Sequence, residues 1–147
     1  MTNTLGTAAA PIEVLLVEDS PGDVRLTREA LRDAKVQLSL NVVSDGVEAM
    51  EFLSRTGKFS AAPRPNIILL DLNLPRLDGR EVLEAIKRNP TLMNIPVVVL
   101  TTSESQADVM RSYKLHANCF ITKPVDLEVF IGVFDFWLSV ARLPREV

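Results

Sequence analysis

Five short apolar segments, each of strand length, alternate with segments of helical periodicity along most of this chain. The apolar segments are Ile12–Val17, Leu38–Val43, Asn66–Leu70, Pro96–Leu100 and Cys119–Ile121. They are mostly hydrophobic throughout rather than at every second position, which is typical of strands buried on both faces of a parallel sheet. The alternation therefore predicts an α/β fold, a doubly wound five-stranded parallel sheet covered by helices.

The segments between the strands carry helix boundary signals. The predicted helices are Pro21–Ala34, Gly46–Leu53, Gly79–Lys87, Gln106–Leu115 and Asp126–Leu143. For the first helix, Ser20 is a good N-cap, Pro21 suits the first turn, and Asp23 stands where a capping box has an acid. The third helix should stop before Asn89-Pro90, because the residue before proline avoids helical backbone angles.

Length and charge narrow the class of protein. The 147 residues suit one domain, which we place at residues 12–147 with an extended C-terminal helix and a flexible tail at 1–11. A net charge of −3 gives no basic footprint for nucleic acid. The start of the chain lacks signal-peptide features, and the most apolar segment, 129–141, is too short for a membrane span and contains Asp135. We expect a cytoplasmic protein without membrane or nucleic-acid partners.

Polar side chains follow the predicted strands. Glu18-Asp19 follow the first strand, Asp71 the third, Thr101 the fourth, and Lys123 comes just after the fifth. Because ligands of such sheets bind at the carboxyl ends of the strands, these residues should converge on one edge. Three carboxylates repel one another unless a cation joins them or some stay protonated, and hard oxygen ligands favour Mg²⁺.

This set of groups suits phosphoryl transfer. A carboxylate beside a bound Mg²⁺ can act as a nucleophile toward phosphorus. The Lys123 ammonium group would neutralise charge on the transferred group, and the Thr101 hydroxyl would hydrogen-bond one of its oxygens.

At these residues the sequence resembles the response regulator receiver family. The resemblance runs from Ile12 to Leu143, and four elements carry it in order: Glu18-Asp19, the segment Asp71–Gly79, Thr101 and Lys123-Pro124. It implies the flavodoxin-like receiver fold with strand order 2-1-3-4-5.

The resemblance also implies a role for each acidic residue. Asp71 would accept a phosphoryl group from a sensor histidine kinase. Glu18, Asp19 and Asp71 would hold Mg²⁺ together with the backbone carbonyl of Asn73.

Further roles are implied near the fifth strand. Thr101 and Lys123 would bind the phosphoryl oxygens. Phe120 matches the aromatic switch position, where the ring changes rotamer when the threonine moves, although a simply buried ring is the alternative. Pro124 would follow a cis peptide bond.

Two other functions are weighed against a signalling switch. Some Mg²⁺-dependent phosphatases use an aspartate nucleophile at a strand end, but they need a second aspartate two residues later, where this chain has Asn73. A phosphorylation-independent adaptor would be expected to lose acidic residues, and none is missing. We therefore expect a phospho-acceptor rather than an enzyme, with no DNA-binding output domain and with a downstream protein target.

The last predicted helix is apolar nearly all the way round. Its apolar residues are Leu127, Val129, Phe130, Ile131, Val133, Phe134, Phe136, Trp137, Leu138 and Val140. A surface helix needs an apolar stripe on only about a third of its circumference. The surplus predicts a homodimer through this face, unless the residues after Ala141 fold back over it.

Within the family, the sequence is most similar to the single-domain regulators of phytochrome-type histidine kinases. The similarity lies in Arg64–Leu83, Ile95–Ser103, Leu115–Pro124 and the last helix with its tryptophan. It implies a phytochrome-type photoreceptor kinase as the upstream partner, with another sensor kinase as the alternative.

Overall fold

The structure, a computed structural model, describes residues 11–33, 37–102, 119–123 and 127–142. In chain order the elements are β1 (Ile12–Val17), α1 (Pro21–Leu31), β2 (Leu38–Val43), α2 (Gly46–Ser54), a short 3-10 helix (Gly57–Phe59), β3 (Ile67–Asp71), α3 (Gly79–Arg88), β4 (Val97–Thr102), β5 (Cys119–Lys123) and α4 (Leu127–Arg142). The predicted helix Gln106–Leu115, the first ten residues of the proposed tail at 1–11, and Pro124 lie outside the described residues.

The strands form one parallel sheet in the order β2-β1-β3-β4-β5, so the predicted fold and strand order are confirmed. In the register, Val17 of β1 pairs with Leu70 of β3, and Asp71 pairs with Leu100 of β4. Thr102 of β4 pairs with Lys123 of β5. The carboxyl ends of four neighbouring strands are therefore level with one another.

Both faces of the central strands β1 and β3 are buried, as their apolar sequences predicted, whereas the edge strand β2 is mostly half-buried. Alternate residues of the central strands point to opposite sides, because side chains alternate along a strand. Leu15, Ile68 and Leu70 belong to the core beneath α2 and α3. Leu16 and Leu69 belong to a second core that includes residues of α1 and α4.

Several boundaries differ from the predictions by one to three residues. The α1 helix ends at Leu31 rather than Ala34, because the amides of Arg32 and Asp33 bond to carbonyls only three residues back, at 3.2 Å each. Its predicted N-cap is confirmed: the Asp23 amide donates to Ser20 Oγ at 3.3 Å. As expected, α3 stops before Asn89-Pro90.

The strands β3, β4 and β5 run further toward their carboxyl ends than the predicted segments, to Asp71, Thr102 and Lys123. Pairing with a neighbouring parallel strand extends each of them past the point where hydrophobicity ends. Asp71, Thr101 and Lys123 thus belong to the strands themselves. Among the helices that the structure describes, none has the length and hydrophobicity needed to span a membrane.

Candidate functional site

Three carboxylates meet at the carboxyl edge of the sheet. Glu18 and Asp19 directly follow β1, and Asp71 is the last residue of the adjacent strand β3. One carboxylate oxygen from each lies within 4.8 Å of the others. Asp71 lies about fifty positions after Glu18-Asp19 in the sequence, so the strand register is what brings it to them.

The three carboxylates differ in burial. Glu18 is 1% exposed and Asp71 is 4% exposed, whereas Asp19 is open to solvent. Buried carboxylates require hydrogen-bond donors. The Ser20 amide donates to Glu18 Oε1 at 3.2 Å, and the Asn73 amide donates to Asp71 Oδ1 at 3.0 Å. Local backbone amides therefore hold both buried groups in fixed orientations.

The donor set fits a divalent cation of the Mg²⁺ type. Mg²⁺ binds hard oxygen ligands, often one or two carboxylates completed by water and phosphate. Here the oxygens of Glu18, Asp19 and Asp71 are close enough to surround one ion, and two of the three side chains are buried. Like charges this close repel, so a cation between them would remove an electrostatic cost.

The loop that follows Asp71 is packed tightly against the end of β3. The Leu72 amide donates to the Leu100 carbonyl of β4 at 3.1 Å, and the Gly79 amide donates to the Leu72 carbonyl at 3.2 Å. A Cβ atom on Gly79 would lie 2.6 Å from Leu72 Cα, which leaves no room for a larger residue. Asn73, whose carbonyl was predicted as a metal ligand, lies within this closed loop and is exposed.

The other predicted site residues are located by their strands. Thr101 follows Leu100, the register partner of Asp71, and Lys123 is the final residue of β5. Both therefore lie at the same edge of the sheet as the carboxylates. Phe120 pairs with Val99 inside the sheet. The side chains of Thr101, Phe120 and Lys123 lie outside the described part of the structure.

The sequence reasoning missed a second set of contacts beside the loop. Asp45 caps α2 by accepting from the Glu48 amide at 2.8 Å, and its other oxygen lies 3.5 Å from Nη1 of Arg76. Arg76 has a left-handed backbone, with φ 65°. The pair Asp45-Gly46 resembles an ordinary turn before a helix, so no local signal indicated a contact with a loop thirty residues away.

Comparison with known proteins identifies the family. A family model described as the response regulator receiver domain matches residues 14–134. The chain therefore belongs to the response regulator receiver family, as the sequence resemblance predicted. Response regulator Rcp1 of Synechocystis sp. is 50% identical over 138 residues, which cover 91% of this chain and 94% of Rcp1.

Solved structures agree with this assignment. The Mn²⁺-bound form of Rcp1 superposes with a TM-score of 0.83 at 49% identity, covering 92% of this chain and 100% of that one. The phosphorylated cyanobacterial phytochrome response regulator RcpA gives 0.82 at 49% identity over the same shares. The bacteriophytochrome response regulator AtBRR gives 0.78 at 38% identity, covering 95% of this chain and 99% of that one. Family membership and the acidic cluster together support the predicted Mg²⁺ cofactor.

Proposed function

We propose that this receiver is switched by phosphorylation of Asp71. The observation that carries the proposal is the position of this carboxylate: it is buried at the end of a central strand, within 4.8 Å of two other carboxylates. Like charges this close repel one another, so the cluster favours a bound cation. It suits a site that binds a cation and accepts a phosphoryl group.

The reaction follows from the chemistry of the carboxylate. An Asp71 oxygen attacks phosphorus and forms a new O–P bond, while the bond from phosphorus to the donor breaks and its electron pair leaves with the donor. The donor is the nitrogen of a phosphohistidine or the acetate oxygen of acetyl phosphate. The hydrogen bond from the Asn73 amide to Asp71 Oδ1 orients the carboxylate for this attack.

Glu18, Asp19 and Asp71 would hold Mg²⁺, joined by the backbone carbonyl of Asn73. When bound, the ion supplies positive charge that offsets the negative charge of the transferred group. Glu18 is held for this role by the Ser20 amide. The exposed position of Asp19 leaves it accessible to a hydrated ion arriving from solvent.

Thr101 and Lys123 would contact the phosphoryl oxygens, since both lie at the same edge of the sheet as Asp71, Thr101 at the end of the adjacent strand β4 and Lys123 at the end of β5. Phe120 would act as the switch residue: its aromatic ring would change rotamer when Thr101 moves toward the phosphoryl group. The altered surface near β5 would then be read by a downstream protein. In this proposal residues 12–147 form the single receiver domain, the protein acts in the cytoplasm, and its output is protein association rather than DNA binding or catalytic turnover.

The decisive experiment is incubation with acetyl phosphate and Mg²⁺, followed by intact-mass measurement. The wild-type protein should gain one phosphoryl group per chain, and the gain should disappear when Mg²⁺ is chelated. Asp71→Asn keeps the side-chain shape but removes the nucleophile, so it should not be modified. Glu13→Gln, at the opposite end of β1, is the control that should be modified normally.

Two results would contradict the proposal. Full modification of Asp71→Asn would show that another residue accepts the phosphoryl group. Continuous hydrolysis of a small phosphate ester by the wild-type protein would favour the phosphatase alternative, which Asn73 argues against because it cannot act as the second acid.

We further propose that the donor is a phytochrome-type histidine kinase. The similarity to a phytochrome response regulator (RcpA, 49% identity) and to a bacteriophytochrome response regulator (AtBRR, 38%) supports this partner. A radiolabelled phytochrome kinase from the same cell should transfer its label to this protein within minutes, and faster than an unrelated sensor kinase does. Faster transfer from the unrelated kinase would remove the light-signalling proposal and leave the receiver assignment intact.

We also propose a homodimer through the face of α4. Phe134 is 1% exposed and faces the core, whereas Phe136, two residues later, is 59% exposed. The ring of Phe136 packs edge-on against Trp137, with 5.1 Å between the ring centroids. These rings form an apolar surface that a second copy would cover.

Sedimentation at tens of micromolar tests the dimer. The wild-type protein should sediment as a dimer in the presence of phosphodonor, and Phe136→Ser should shift the equilibrium to monomer without loss of folding. Leu26→Ser, which changes an exposed apolar residue of α1 instead, is the control that should leave association unchanged. A monomer with and without phosphodonor would refute the proposal.

A further inference from the structure

The first turn of α2 lies directly against the active-site loop. A Cβ atom built on Gly46 would lie 2.7 Å from Leu77 Cβ and 2.8 Å from the Leu77 carbonyl carbon, and closer still to its oxygen. Real Cβ contacts are not this short, so the helix can approach the loop only because residue 46 is glycine. The two segments are thirty-one positions apart in the sequence.

An ion pair joins the same two segments. Arg76, the neighbour of Leu77, places Nη1 3.5 Å from Asp45 Oδ2, and Asp45 is the N-cap of α2. The Arg76 guanidinium is largely exposed, so the pair by itself is weak. The ion pair instead holds Arg76 in place, and the left-handed backbone of Arg76 turns the loop toward α2.

The loop is closed at its base and cannot absorb a local displacement freely. Its ends are joined by the hydrogen bond from the Gly79 amide to the Leu72 carbonyl. Leu74 and Leu77 pack against the core beneath α2 and α3. A shift at Leu77 would therefore be carried along the loop to Asn73, four residues away.

We infer that Asp45 and Gly46 are positioning residues for the metal site, acting on the 72–78 loop through Leu77 and Arg76. The inference rests on the proposed function, in which the Asn73 carbonyl completes the Mg²⁺ ligands. The first turn of α2 thereby sets the distance between that carbonyl and the three carboxylates. Metal affinity in this chain depends on a helix that contributes no ligand.

The test is titration of the full chain with Mg²⁺ alone, followed by calorimetry. Gly46→Ala should weaken Mg²⁺ binding about tenfold, as substitutions of groups that orient metal ligands commonly do. The matched control is Gly132→Ala in α4, where a new Cβ meets nothing within 4 Å. Because it is the same substitution in open space, it should leave the Mg²⁺ affinity unchanged.

A second pair of variants tests the ion pair and covers the case in which Gly46→Ala does not fold. Arg76→Ala should weaken Mg²⁺ binding by only about threefold, because an exposed ion pair contributes little. Arg55→Ala is its control, since Arg55 is also an exposed arginine with a left-handed backbone, φ 57°, but lies at the far end of α2. It should bind Mg²⁺ like the wild-type protein.

The outcomes separate the two hypotheses. If the wild-type protein binds Mg²⁺ and both Gly46→Ala and Arg76→Ala bind it equally well, the positioning role is wrong and the proposed function survives. Equal weakening by Gly132→Ala or Arg55→Ala would also overturn the positioning role. Failure of the wild-type protein to bind Mg²⁺, or unchanged binding by Glu18→Gln, would remove the proposed function and this inference with it.

Discussion

The carboxylates at the two ends of the sheet have different surroundings. At the carboxyl end, Glu18, Asp19 and Asp71 are brought within 4.8 Å of one another. Toward the amino end, the single carboxylate of Glu13 accepts from Asn41 Nδ2 at 3.1 Å. The Glu13 backbone exchanges two 2.8 Å hydrogen bonds with Asn66.

The difference shows how one sheet separates stability from function. Toward the amino end, a charge is balanced by neutral amide donors, so the network stabilises the fold without any ligand. At the carboxyl end three carboxylates are gathered, and a bound cation would reduce their mutual repulsion. Substitutions at the two ends should therefore differ in the sign of their effect and in their dependence on Mg²⁺.

The largest expected effect is stabilisation by Mg²⁺ itself. At a concentration one hundred times its dissociation constant, Mg²⁺ should raise the free energy of unfolding by about 2.7 kcal/mol. The measurement is urea denaturation with Mg²⁺ and with chelator. Glu18→Gln should abolish the increase, whereas Glu13→Gln should retain it. An equal response of both variants would mean that the ion does not bind at the carboxyl end.

Next in size is the loss of the Asn66 side chain. Asn66→Ala leaves the Glu13 amide without its acceptor and, because this amide is only partly buried, should cost about 1–2 kcal/mol of stability. Because the site is remote from the metal ligands, the loss should be the same with and without Mg²⁺. A loss of stability that appears only with Mg²⁺ would contradict the proposal that the amino end of the sheet stabilises the fold independently of the metal site.

A smaller effect of opposite sign is expected at Asp19. In chelator, Asp19→Asn removes one of the three like charges and should raise the free energy of unfolding by about 0.5 kcal/mol. With Mg²⁺ present the same variant should be less stable than the wild-type protein, because a ligand is lost. Chemical denaturation under both conditions checks the reversal; destabilisation in chelator would contradict it.

The smallest effect concerns acid sensitivity beside the site. The Ser44 amide donates to Glu48 and, with the nearby Lys58 ammonium, lowers the pKa of this carboxyl group below its usual 4.5. Because the pKa is lowered in the folded state, the ionised Glu48 carboxylate stabilises the fold fully at pH values above 4.5. This contribution is lost as the pH falls through the pKa of the folded state. Glu48→Gln should therefore be less stable than the wild-type protein at neutral pH and should lose less stability on acidification. Denaturation at several pH values below neutrality measures the free energy of unfolding of both proteins. If the two free energies fell in parallel with pH, Glu48 would not be the cause of the acid sensitivity.

The sequence by itself determined the class of fold and predicted which residues lie at the carboxyl edge of the sheet. Apolar segments of strand length, alternating with helices, permit few arrangements other than a doubly wound parallel sheet. Since parallel strands end at a common edge, residues such as Asp71 and Lys123 were assigned to that edge from their positions after apolar segments. These inferences depend on local pattern, which the sequence carries directly.

Only the tertiary structure decided how each site residue is held. Glu18 and Asp19 are adjacent, yet one is buried and the other exposed, and the sequence does not indicate which. The contact of Gly46 with Leu77 and the hydrogen bonds of Glu13 with Asn66 join segments far apart along the chain. Such contacts depend on how strands and helices pack. Because they join residues distant in sequence, no local sequence pattern indicates them.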